Sequence, residues 1–88
     1  MKLYLTAPLV VATTLLSAAA FAAPDCTKAP QDQWMPEATM KQKILDQGYT
    51  IKVFKVSGNC YEIYGKDKDG KNVEIYFDPT DGRIVKQR

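Results

Sequence analysis

Cys26 and Cys60 are the two cysteines of this sequence, and histidine is absent altogether. The missing histidine removes the commonest general base, the commonest metal ligand and the usual pH switch together. Two thiols can run redox chemistry or form a structural bond. No C-x-x-C spacing is present to lower either thiol pKa, so a structural disulfide is expected. Glu62 and Glu74 could act as an acid–base pair, but that requires a cleft and divergent environments. Both fall on one open sheet face in the register below, which predicts solvated residues. Asp67-Lys68-Asp69-Gly70 opens like a calcium loop. Its Gly comes fourth where a calcium loop has it sixth, and Asp78 stands where a bidentate Glu is needed. The same residues make a good hairpin turn. No Ser or Cys nucleophile has a base beside it, and no Gly-rich phosphate loop exists. The expectation is a protein that is not an enzyme, with no metal and no cofactor.

Composition narrows the class further. The chain has 88 residues, 25% charged, with a net charge of +2, too balanced for a nucleic-acid footprint. Met1-Lys2, an apolar run from Leu3 to Leu16 and an Ala20-Phe21-Ala22 cleavage pattern read as a signal peptide over residues 1–22. The mature chain then enters an oxidising compartment without inserting in the membrane, periplasmic or secreted. Its remaining length of about 66 residues is marginal for a core, burying only about 60% of the unfolded surface. A bond between Cys26 and Cys60 is therefore expected, worth roughly 3.8 kcal/mol in the chain-entropy account.

The elements that position these residues follow from pattern. Residues 23–33 carry two prolines and no periodicity, and read as an extended arm tied down by Cys26. The domain proper spans 34–88. Pro36 is expected at the first helical position, with Glu37 suiting the helix dipole. Ala38, Met40, Ile44 and Leu45 form the apolar side of a three-turn helix that Gly48 caps. Strands are expected at Thr50 to Ser57, Cys60 to Lys66, Asn72 to Asp78 and, briefly, Arg83 to Lys86. Gly58-Asn59, Asp67–Gly70 and Asp78–Gly82 form the turns between them.

Pairing Ser57 with Cys60 and Asp67 with Lys71 sets both hairpins. Phe54, Val56, Tyr61, Ile63, Val73, Ile75 and Phe77 then share the face that the helix must cover. The opposite face carries Val53, Lys55, Cys60, Glu62, Tyr64, Glu74 and Tyr76. Lys55 sits across from Glu62. Ile51 and Val53 break the alternation, so a bulge near Val53-Phe54 or partial cover of that face is expected. Tyr64 and Tyr76, flanked by Glu62, Glu74 and Lys55, make an amphipathic patch suited to protein contact.

Four stretches carry a family resemblance: Trp34-Met35-Pro36-Glu37, Gln47-Gly48-Tyr49-Thr50, Gly58-Asn59-Cys60-Tyr61-Glu62-Ile63-Tyr64 and Tyr76-Phe77-Asp78-Pro79-Thr80-Asp81-Gly82. Together they resemble the small secreted PepSY-domain proteins of proteobacteria, over about Trp34 to Val85. The resemblance implies an α+β fold, one helix on a three- to four-stranded antiparallel β-meander, as read from the residues. Related domains occur in the propeptides of thermolysin-like metallopeptidases. The resemblance thus implies a non-enzymatic module that restrains or inhibits a peptidase. The alternative is an accessory or structural subunit of an envelope membrane complex, redox or sensor, without inhibitory activity. Either way the partner is a protein, a peptidase or an envelope membrane protein. For the purified mature chain, unreduced mass spectrometry should show a mass two hydrogens below the reduced chain. Two free thiols would contradict the disulfide.

Overall fold

The computed structural model describes residues 22–88. The leader expected over residues 1–22 lies, apart from Ala22, outside them. The arm runs from Ala23 through a single 3₁₀ turn at Gln31–Gln33. One helix, α1 (Glu37–Asp46), is followed by β1 (Thr50–Ser57), β2 (Cys60–Lys66), β3 (Asn72–Phe77) and β4 (Ile84–Gln87). The strands form one antiparallel sheet in the order β1-β2-β3-β4, a meander with the helix on one face. The α+β architecture is the one the residues imply. No helix among the described residues is long and apolar enough to cross a membrane.

Helix α1 starts one residue later than expected. Pro36 is its N-cap, in an extended conformation (ψ 145°), and its carbonyl accepts the Met40 N–H at 3.0 Å. Proline has no N–H to lose, so either position suits it. The far end is a Schellman motif: Tyr49 N–H bonds to Ile44 O at 3.4 Å and Gly48 N–H to Leu45 O at 3.0 Å. That geometry requires the positive φ of Gly48, 97°. Of the four apolar helix positions, only Met40 and Ile44, one turn apart, are buried. Ala38 is exposed and Leu45 is 47% exposed, because the line of contact on a short helix takes in only the i, i+4 pair.

Both hairpins adopt the expected register. Ser57 pairs with Cys60, Val56 with Tyr61 and Phe54 with Ile63. Across the second hairpin, Tyr61 pairs with Phe77 and Ile63 with Ile75. The core comprises Met40, Ile44, Tyr61, Ile63, Val73, Ile75 and Phe77, with Phe54 packed at its margin. Val56, expected inside, is 40% exposed. A helix is about 10 Å across and strands lie about 4.8 Å apart, so one helix shields roughly two strands. β1 is the edge, and its far end is left uncovered.

The bulge sits at Lys52, one residue before the expected place. Ile51 pairs with Gly65 and Val53 with Tyr64, so the extra residue turns Ile51 to the core while Val53 stays outside. The bulge also presses β1 against its neighbour. A Cβ on Gly65 would lie 1.9 Å from the Thr50 carbonyl oxygen. This is backbone against backbone, which no rotamer change can relieve. Gly65→Ala should therefore lower stability by about 2 kcal/mol or more. Gly70→Ala, with a positive φ of 82° but open space around it, should cost about 1 kcal/mol. Denaturant midpoints check the order, and equal losses would mean that β1 yields at the bulge.

Candidate functional site

The outer face of the sheet collects the side chains singled out for contact. Two rows cross it. Lys55, Glu62, Tyr76 and Lys86 face one another in the first, and Val53, Tyr64 and Glu74 in the second. Arg88 extends the second row, because its backbone exchanges hydrogen bonds with Glu74 at 2.8 and 2.9 Å. The sheet thus brings all five predicted contact residues together. It does not leave them all open. Tyr64 is 39% exposed and Lys55 is exposed, but Tyr76 is 3% and Glu62 1% exposed.

That burial corrects the expectation of a solvated face. The Cys26–Cys60 disulfide fastens the arm at the β2 end of the face, where Cys26, Cys60 and Tyr76 form a small apolar cluster with Ala23 against it. The arm therefore covers part of this face, as its tether implied. Asn59 holds it there. Its Oδ1 accepts the Cys26 N–H at 2.8 Å, and its Nδ2 donates to Thr27 O and to the Asp25 carboxylate, each at 2.7 Å. Lys28 and Asn59 together hold the exposed Asp25 carboxyl below its usual range. Asn59 had read as a turn residue only. The hairpin needs positive φ at Gly58 (59°) but not at Asn59, as in a type II′ turn. Its side chain is free to bind the arm, and only the folded chain brings the arm to it.

The two glutamates have diverged electrostatically. Burial first, then the neighbouring Glu74 carboxyl, push Glu62 above the usual carboxylate range. Its hydrogen bond with Glu62 holds Glu74 below that range against the opposing effect of burial, with the Tyr76 and Tyr64 hydroxyls and Arg88 also lowering it. Tyr76 donates to Glu74 Oε2 at 3.0 Å, and Arg88 Nε lies 3.2 Å from Oε1. Lys55 Nζ stands 4.0 Å from Glu62 Oε1 and 5.6 Å from the Tyr64 ring centroid. Hydrogen bonding to Glu74, more than burial, pushes the Tyr64 hydroxyl up to about 12. Tyr64 thus remains a protonated donor, with its ring toward solvent.

The acidic hairpin behaves as a turn. Asp67 Oδ1 accepts the N–H groups of Asp69 (2.8 Å) and Lys71 (3.0 Å), which lower its carboxyl pKa. A second Asp-based turn, at Asp78, accepts Thr80 N–H and Oγ1 at 2.8 and 2.6 Å and lies 3.4 Å from Arg83.

A family model described as the peptidase propeptide and YPEB domain (PepSY) matches residues 6–88. The match takes in the helix, all four strands and the arm. The chain belongs to the PepSY family. Compared with curated proteins and with solved structures, it shows no match. PepSY domains are propeptide- and inhibitor-like modules, and a binding role without catalysis fits this membership. In this PepSY domain the outer face is a patterned surface: apolar and covered by the arm at the disulfide end, aromatic and open at Tyr64. Asn59→Ala should loosen the arm without breaking its covalent tether, lowering stability by about 1–3 kcal/mol. Denaturant midpoints with thiol titration check this. An unchanged midpoint would mean that the disulfide alone holds the arm.

Proposed function

We propose that this PepSY domain is a periplasmic or secreted binding module that restrains a peptidase by contact and performs no chemistry itself. The observation that carries the reading is the Val53–Tyr64 pair, 42% and 39% exposed, directly opposite one another beside the edge of β1, which pairs with no other strand among the described residues. Tyrosine with a fixed hydroxyl and an open ring loses little conformational freedom on binding and is a frequent interface anchor. Here the hydroxyl is held by Glu74 and the ring is flanked by the Lys55 ammonium. Beyond the bulge, β1 offers a regular run of main-chain donors and acceptors from Val53 to Ser57. An extended segment of a peptidase can add to such an edge while its side chains meet Tyr64 and Val53.

The leader expected from the sequence supports the location, and the family supports the class of partner. Tyr76 is a poor anchor by comparison, because its ring is buried against the disulfide and its loss would damage the fold. The test uses the mature protein as bait in a periplasmic extract, followed by titration of the captured peptidase. Tyr64→Ala combined with Val53→Ser should keep the helix and sheet signals and weaken binding roughly thirtyfold or more. Undiminished affinity of that variant, or capture of membrane proteins alone, would count against the reading.

A further inference from the structure

Glu62 is 1% exposed, and its Oε2 is buried without a hydrogen-bond donor. An ionised carboxylate in that position would leave an acceptor unsatisfied next to a second carboxylate, an arrangement that disfavours the charged form. A proton on Glu62 removes both difficulties, since the acid then donates to Glu74. We propose that Glu62 and Glu74 share one proton in the folded protein, held at a pH where a free glutamate has lost it, and form a pH-responsive latch across β2 and β3.

Every element around the pair fits that assignment. From β1, Lys55 reaches Glu62 only at 4.0 Å from an exposed position, too loosely to neutralise it. From β2, the Tyr64 hydroxyl bonds chiefly to Glu74 and also to Glu62, and from β1 the Ser57 hydroxyl bonds to Glu62. Both favour the charged form of Glu62 less strongly than burial and Glu74 oppose it. From β3, Tyr76 donates to Glu74, and from β4, Arg88 pairs with Glu74 while Lys86 sits across from Tyr76. Of the charged groups of the arm, Asp25 and Lys28 are paired with each other at 2.8 Å, and Asp32 lies in the exposed 3₁₀ turn. The closer cation, Arg88, and the Tyr76 hydroxyl are thus directed at Glu74, which carries the negative charge, and Glu62 carries the proton. When that proton is lost, two like charges lie side by side beneath Tyr76 and Arg88. The groups that hold the last strand and the arm-covered cluster are then pushed apart.

The sequence supplies a clean window for the test. With no histidine, no other side chain has its ordinary titration between about pH 5 and about pH 7. A carboxyl whose folded pKa is raised contributes stability that is complete below its unfolded value, about 4.3, and is lost as pH rises through the folded value. The wild-type unfolding constant should therefore climb with pH from about 4.5 upward, by up to about tenfold per unit, and then level off. Glu62→Gln keeps a donor for Glu74 and has no proton to lose, so its constant should stay flat over the same range. Carboxyl ¹³C shifts of the labelled wild type give an independent reading, with Glu62 titrating late and Glu74 early. Superimposed pH profiles for wild type and Glu62→Gln would overturn the proposal. So would a Glu62 carboxyl that titrates at or below about 4.3, a measurement that stands even if the variant does not fold.

Discussion

One ten-residue helix cannot shield a four-stranded sheet, and much of this structure answers that shortage of cover. The helix closes the centre of one face with two buried side chains, Met40 and Ile44. The other face would be bare without the arm that Cys26–Cys60 holds against it. Because the tether joins the arm to the first residue of β2, the cover falls at one end of the outer face. Tyr76 is buried there, and Tyr64 remains open.

The two faces are tied together by polar groups at the same end of the molecule. Tyr61, buried between Trp34 and Phe54, donates its hydroxyl to Met35 O at 2.6 Å. Met35 N–H in turn bonds to Pro79 O at 2.8 Å, and Trp34 Nε1 to Ala29 O at 3.1 Å. The approach to the helix, the β3–β4 turn and the arm are thus fixed by three hydrogen bonds around one tyrosine. Loosening the arm on the outer face would be felt at the start of the helix on the inner one.

Such an arrangement suits a module that works by surface. Its stable parts lie under the helix and under the arm, while the β1 edge and the Tyr64 ring remain exposed on a rigid frame. The buried glutamate is the exception to the usual economy of small domains, since an apolar residue at position 62 would pack without a proton. Its presence ties the outer face to the ionisation of a single carboxyl.

Local pattern determined the elements and their pairing. The glycines at 48, 58 and 70 end the helix and close the hairpins, and turn geometry with alternating apolar residues admits one register. Those signals act between near neighbours, so they are legible in the chain. The disulfide was legible for a different reason: the expected leader implies an oxidising compartment, and two cysteines admit one pairing within the chain. What the sequence could not supply was coverage. Val56 and Leu45 are exposed, and Glu62 and Tyr76 are buried, because of where a helix ends and where an arm crosses. Asn59 likewise reads as a turn residue until Cys26 and Thr27 arrive beside it from more than thirty positions away. Burial is a property of packed surfaces, set by how far each covering element reaches, and only the tertiary structure fixes that reach.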